Sequence, residues 1–209
     1  MLKQYYKSRQ IEVGIDEAGR GCLFGPVCIS GVIWVDKDPY NDKRFELKDS
    51  KKCTPKKREL LKKYIEDTSI GYSVKMIDNE AIDVSNILQS TINGMHLCLD
   101  DITSRISIDQ ILVDGNQFNL YFDKECNMVP YECIIDGDNK YKSIAAASIL
   151  AKTYRDEYIK NLVEDNPELL RYDIHNNKGY GTQKHLNAIK EYGITKWHRK
   201  TFGICKEYN

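Results

Sequence analysis

Ile11-Glu12-Val13-Gly14-Ile15-Asp16-Glu17-Ala18-Gly19-Arg20-Gly21 runs from a β-branched apolar segment into two acids and then into an arginine flanked by glycines. Ile11 to Ile15 has strand character, and the glycines end the strand in a turn. Ligands of open α/β sheets bind beyond the carboxyl ends of strands, which is where Asp16 and Glu17 would stand. Successive side chains of a strand point to opposite faces. The two acids therefore reach one site only where the strand ends or twists, and the following glycines permit such an ending. Read alone, the acids are equally a solvated strand end, and Gly19-Arg20-Gly21 is equally a plain turn.

The chain around this stretch alternates strands and helices. Val27 to Val35 reads as a second strand, with a loop over Asp36 to Asn41. Thr54-Pro55 opens a helix, a cap residue followed by proline at the first helical position. That helix runs to about Asp67, with Leu60, Leu61, Tyr64 and Ile65 at helical spacing. Ile70 to Ile77 reads as a third strand. Ser85 to about Arg105 reads as one long helix with Ile87, Leu88, Met95, Leu99 and Ile102 along its apolar stripe. Ile108 to Val113 is a buried strand ending at Asp114-Gly115, and Pro130 to Ile135 is a strand ending at Asp136-Gly137-Asp138. Ile144 to Lys152 is a helix of small residues that another backbone or a substrate can approach closely. Asn166 to Thr182 is expected to be a loop, Lys184 to Tyr192 a short helix, and the remainder an irregular tail. The pattern predicts one mixed central sheet flanked by helices, with a helical C-terminal portion.

Three strands thus end in acids: Asp16-Glu17, Asp114, and Asp136 or Asp138. Gathered at one sheet end, these carboxylates would make a hard, oxygen-rich pocket suited to Mg²⁺ or Mn²⁺ rather than zinc. Divalent ions so held can activate water and stabilise the leaving oxygen in phosphodiester cleavage. Asp114-Gly115 is also ordinary turn chemistry. Arginine between glycines brings a planar donor array for phosphate on a main chain free to approach a ligand.

Basic residues concentrate in two places. One comprises Lys48, Lys51, Lys52, Lys56, Lys57, Arg58, Lys62 and Lys63, which can equally be a solvated helix face. The other is the tail, with Lys178, Lys184, Lys190, Lys196, Arg199 and Lys200 interleaved with Tyr180, Tyr192 and Trp197, a composition suited to phosphate contact and stacking. His175, His185 and His198 lack zinc-ligand spacing, and capping or phosphate contact is expected of them.

Composition bounds the function classes. The 209 residues suit one domain, and Lys plus Arg equals Asp plus Glu at 31 each, unlike a basic nucleic-acid coat protein. Seven scattered cysteines, without a C-x-x-C pair, argue against a disulfide framework or zinc knuckle. There is no secretory leader pattern at Met1 to Lys7, and no run approaches the roughly 18 apolar residues of a membrane span. A soluble cytoplasmic protein, a monomer with no obligate protein partner, is expected. The C-terminal Lys200 to Asn209 contains no evident sliding-clamp peptide.

Together these segments resemble ribonuclease HII. Gly14 to Gly21 is similar to the opening motif of that family, followed by Gly25-Pro26-Val27. Leu47 to Lys52, Leu112 to Asn116, Gly137-Asp138 with Ser143 to Lys152 and Arg155-Asp156, Lys178 to Thr182, and His198-Arg199 with Phe202 resemble its later motifs, in order. The resemblance implies a ribonuclease H-like α/β fold, a mixed five-stranded sheet flanked by helices. It implies a catalytic core over residues 1–165 and a helical substrate-binding region over 166–209 packed on the same domain. The implied activity is hydrolysis of the RNA strand of RNA/DNA hybrids and incision 5′ of single ribonucleotides in duplex DNA, serving replication and repair. Two divalent ions, Mn²⁺ or Mg²⁺, are implied with substrate, and the product ends are 3′-hydroxyl and 5′-phosphate.

Carried over by position, Asp16, Glu17, Asp114 and Asp138 would be the catalytic metal ligands, with Asp16 bridging both ions. Asp138 is preferred to Asp136 or Asp156 because it fits the Gly-Asp position before the Ala-rich helix. Gly19, Arg20 and Gly21 would recognise the 2′-hydroxyl and neighbouring phosphate. Tyr180 would pack on the sugar after the ribonucleotide, and Lys48, Lys51 and Lys52 would hold the backbone. Cys22 stands where the family usually has proline, so a looser loop and a thiol near the metals are expected. Phe24 before Gly25-Pro26 is similar to type III enzymes, which differ at the arginine and carry an extra N-terminal domain.

Overall fold

The computed structural model describes residues 2–35, 45–47 and 53–208. Its centre is β1 (Glu12–Ala18), whose apolar alternation buries both faces. β2 (Val27–Ile33) and β3 (Gly71–Ile77) extend the sheet antiparallel on one side. β4 (Gln110–Asp114) pairs parallel with β1 on the other side, and the edge strand β7 (Tyr131–Ile134) pairs parallel with β4. The order is β3-β2-β1-β4-β7, the mixed five-stranded sheet expected. A two-stranded hairpin of β5 (Tyr121–Phe122) and β6 (Met128–Val129), which the sequence pattern does not announce, precedes β7.

The helices cover both faces. α1 (Pro55–Thr68) begins as expected: Thr54 Oγ1 accepts the Lys57 amide and proline occupies the first turn. The helix expected from Ser85 to about Arg105 is α3 (Ile87–Thr103), and a short helix that the sequence pattern does not announce, α2 (Asn79–Ser85), precedes it. Asn86, at φ 73°, breaks the hydrogen-bond ladder, and its side chain caps α3 by accepting the Gln89 amide. α3 packs Met95, Cys98, Leu99 and Ile102 against Val13, Ile15 and Val113.

The opposite face carries α4 (Lys142–Asp165), 24 residues long rather than the Ile144 to Lys152 expected. Arg155, Ile159 and Val163 continue its buried stripe among charged residues, which mask the helical period. Its Ala145, Ala146 and Ala147 lie against the sheet with no exposure. Gly14 is where α4 comes nearest: a Cβ there would lie 2.4 Å from the Ile144 nitrogen.

The segment expected to be a loop, Asn166 to Thr182, contains a 3-10 turn over Pro167–Tyr172 and the short α5 (Ile174–Asn177). Leu169, Tyr172 and Ile174 are fully buried there. They share a core with Leu23, Phe24, Ile159, Cys205 and Ile189 of α6 (Gln183–Tyr192), so the C-terminal segment encloses the 19–26 loop. Among the described residues no helix is long and apolar enough to cross a membrane.

Candidate active site

The acidic end of the sheet is built by unequal strand lengths. β1 pairs with β4 only as far as Ile15↔Val113, but with β2 as far as Ala18↔Cys28. Asp16 and Glu17 therefore lie within the strand, beyond the last β4 pair. Alternation puts Asp16 on the α4 face with Gly14, and Glu17 on the α3 face with Ile15. Asp114 follows Val113, itself on the α3 face, and so shares the α4 face with Asp16, one register step past the last pair. Asp16 is buried and hydrogen-bonded to Ser148 of α4.

Burial pushes the Asp16 carboxyl well above the usual carboxylate range, and the negative charges of Glu17 and Asp114 add to the effect. Asp114 Oδ1 accepts the Gly137 amide at 2.7 Å, fastening the end of β4 to the turn that carries Asp138. Asp138 is buried, and Asn139 donates to its Oδ1 at 3.0 Å. Of the alternatives, Asp136 is exposed, with φ 53°. Asp156 is held by Lys152 at 2.7 Å and Arg58 at 3.2 Å, an ion-pair network joining α1 and α4.

The chemistry of this set suits a hard divalent cation. The donors are carboxylates, and the repulsion at Asp16 is what a bound cation would relieve. Among the described residues, no three His, Cys, Asp or Glu side chains form a finished metal cage.

Gly19-Arg20-Gly21 leaves β1 at once, with Gly19 at φ 93°. Arg20 and Gly21 are exposed, and Arg20 Nη1 reaches Glu17 Oε1 at 3.2 Å. Two fully buried arginines brace the loop from behind. Arg199 donates to the carbonyls of Gly19, Arg20 and Gly25 at 2.8, 2.8 and 3.0 Å. Arg155 donates to those of Phe24, Pro26 and Lys178 at 3.0, 2.9 and 2.8 Å. A Cβ on Gly19 would fall 2.0 Å from Arg155 Nε. Arg199 is thus a buried brace rather than part of a basic surface, and burial lowers it to about 10, still charged at neutral pH.

These contacts also revise the expectation for Cys22. Its side chain is buried and its Sγ lies 3.7 Å from the Lys178 carbonyl, toward the C-terminal segment. Burial pushes the thiol up. The loop is pinned despite the missing proline. Tyr180 sits on the adjoining turn, its side chain partnered by Cys22 and 5.9 Å from Lys152 Nζ, measured at the ring centre. Tyr180 remains 43% exposed.

The basic clusters divide. Lys48, Lys51 and Lys52 lie outside the described residues. Lys56 and Lys63 are exposed, whereas Lys62 pairs with Glu157 at 2.6 Å. His185 and His198 are fully buried with Nε2 atoms 3.0 Å apart, so neither contacts phosphate. The sequence suggests no function for Arg155, and the capping or phosphate contact expected of the two histidines gives way to a buried pair. Their only local signal is polar residues amid apolar ones, which does not identify their partners.

The profile of the ribonuclease HII family matches residues 13–205. Ribonuclease HII of Christiangramia forsetii is 46% identical over 206 residues, covering 99% of this chain and 97% of the relative. That of Bacteroides thetaiotaomicron is 45% identical over 204 residues, covering 98% and 95%. Ribonuclease H2 from Pyrococcus horikoshii OT3 has a similar crystal structure, with a TM-score of 0.73, 26% identity, and coverage of 94% and 96%. Bst-RNase HIII in complex with Mn²⁺ shares the fold at a TM-score of 0.69 and 21% identity, over 94% of this chain and 68% of that one. The chain belongs to the ribonuclease HII family and is a ribonuclease H hydrolase.

Proposed function

We propose that this ribonuclease H cuts the RNA strand of RNA/DNA hybrids and also incises 5′ of single ribonucleotides in duplex DNA, in replication and repair. The observation that carries this reading is the continuity of β1: the acids Asp16 and Glu17 pass directly into the Gly19-Arg20-Gly21 turn, whose Arg20 and Gly21 are exposed. Carboxylates for phosphodiester chemistry and main-chain donors for a sugar are thereby separated by one residue, Ala18.

Asp16, Asp114 and Asp138 would hold the Mn²⁺ or Mg²⁺ ions, two of them with substrate, and Glu17 would join them from the opposite face around the side of β1 that β4 leaves open. When bound, such ions supply an activated water for in-line attack and neutralise charge on the phosphate, leaving 3′-hydroxyl and 5′-phosphate ends. The chain's own residues select the nucleotide. Gly19, Arg20 and Gly21 address the 2′-hydroxyl, which distinguishes RNA from DNA, and the adjacent phosphate. Arg20 pairs with Glu17 in the free protein, keeping its guanidinium beside the acids until a phosphate competes for it. Tyr180 lies against the following sugar, and Lys48, Lys51 and Lys52 hold the backbone. Residues 1–165 act as the catalytic core and 166–209 as the substrate-binding region, in a cytoplasmic monomer needing no protein partner.

The test is a duplex containing one ribonucleotide, incubated with Mg²⁺ or Mn²⁺ beside its all-DNA counterpart. Incision only at the 5′ side of the ribonucleotide is expected. Equal cutting of the all-DNA duplex would remove ribose recognition from the proposal.

A further inference from the structure

The two buried arginines pose a physical question. A guanidinium taken out of water is costly unless its donors are satisfied. Among the described residues, neither Arg155 nor Arg199 forms a salt bridge. Each donates instead to three main-chain carbonyls, six in all and all within 3.0 Å. Such an arrangement fixes peptide planes. Lysine, a point charge on a flexible stem, cannot reproduce the fork.

The planes that Arg199 fixes include two within the Gly19-Arg20-Gly21 turn. In a trans peptide the carbonyl and the next residue's N–H point in opposite directions. Holding the Gly19 carbonyl inward turns the Arg20 N–H away from Arg199. Holding the Arg20 carbonyl inward does the same for the Gly21 N–H. Both residues are exposed. The main-chain hydrogen bonds of this turn among the described residues include the Cys22 amide donating back to Gly19, but no donation from Arg20 or Gly21. A Cβ on Gly21 would meet nothing within 4 Å, so the space outside the turn is open. Two successive outward amides form a small anion-binding concavity. Arg155 ties the exit of the same loop to Lys178, two residues before Tyr180.

We propose that Arg199 is a positioning residue for ribonucleotide recognition, holding the Gly19 and Arg20 carbonyls inward so that the Arg20 and Gly21 amides face the sugar and phosphate. This rests on the function proposed above for the turn. Arg199 touches no substrate itself. It presets donors that would otherwise have to be ordered during binding.

The experiment compares wild type with Arg199→Lys in single-turnover incision of a one-ribonucleotide duplex, at saturating enzyme and below both melting transitions. That rate does not depend on the folded fraction, so a merely stabilising role leaves it unchanged. Lysine at this position is expected to slow it by about ten-fold or more, as for loss of a charge-assisted hydrogen-bond pair. An unchanged rate in the variant overturns the role of Arg199 alone. Wild type that fails to incise at the ribonucleotide overturns the recognition reading and this inference together. Should the variant not fold, amide hydrogen exchange on wild type decides. Arg20 and Gly21 should exchange freely in the unbound protein and become protected by the ribonucleotide duplex. Protection already present without nucleic acid overturns the proposal.

Discussion

At the scale of single residues, Asp16 concentrates the electrostatic cost of the site. It is buried beside two other carboxylates, and its charged form is disfavoured for both reasons. Asp16→Asn is therefore expected to raise the melting temperature of the metal-free protein by about 2–4 °C, the shift that roughly 1 kcal/mol produces in a chain of this size. Wild type should gain thermal stability on addition of Mn²⁺, and the variant should gain none. A melting temperature that responds equally to Mn²⁺ in both proteins would exclude Asp16 as a ligand. Tyr180 is different in kind, since it is exposed and its role lies at the RNA–DNA junction. Tyr180→Ala should lower incision at single ribonucleotides by about ten-fold or more, as expected for loss of a stacking contact of roughly 1–3 kcal/mol. Long hybrids should be affected less. Equal loss on both substrates, measured as kcat/KM, would contradict that role.

Among elements, the contact between β1 and α4 sets the site. Gly14 lets the start of α4 lie against the strand, two residues before Asp16, and Ser148 one turn along the helix meets the Asp16 carboxyl. Adding one methyl group at Gly14 forces backbone against backbone, because the nearest atoms are the Ser143 carbonyl carbon and the Ile144 nitrogen, each at 2.4 Å. Gly14→Ala should destabilise the fold by about 2–3 kcal/mol. It should also reduce cleavage by the protein that remains folded. Urea denaturation with an unshifted midpoint would show that α4 gives way freely. The sequence disclosed this element only in part. Small residues from Ala145 to Ala147 announce close packing, whereas the charged second half of α4 conceals its continuation. The short α2 is likewise hidden, since seven residues show too little of a helical period, and the left-handed backbone at Asn86 separates it from α3.

For the whole molecule, the C-terminal segment is joined to the loop after β1 by buried polar groups, not by apolar contact alone. The histidine pair shows how completely these are committed. The Thr195 amide donates to His198 Nδ1, so the His198 proton lies on Nε2 and is directed at His185 Nε2. His185 Nδ1–H then donates to the Tyr180 carbonyl. Neither ring has an unoccupied acceptor for another proton. Burial accordingly lowers both below the ordinary histidine value of 6.5, His198 to about 3 with a further contribution from its neighbour. Because the folded values lie below the unfolded one, the unfolded chain binds more protons as acidity rises. The stability contributed by the neutral pair is complete above about pH 6.5 and is lost as pH falls towards the folded values. The loss should approach about 1.4 kcal/mol per pH unit for each proton. Melting temperatures measured from pH 7 to pH 5 should fall in wild type and fall less in His185→Gln with His198→Asn. Parallel slopes would show that other groups govern acid sensitivity.

By itself the sequence determined which chemical groups are present and their order: acids at strand ends, glycines around Arg20, small residues on one helix, and the resemblance that these carry together. Period and turn chemistry are local, so the strands and most helices could be read directly. Tertiary structure alone decided which groups meet. Asp16 and Glu17 do point to opposite faces, and Asp16 is joined by Asp114 because β4 pairing stops one residue short of both. That register depends on residues about a hundred positions apart. The same holds for Arg199, which looks like one more basic residue in a tail until folding carries it to carbonyls near residue 20. A charge on a surface and a charge that orders a backbone have the same letter in the sequence. They differ only in what surrounds them.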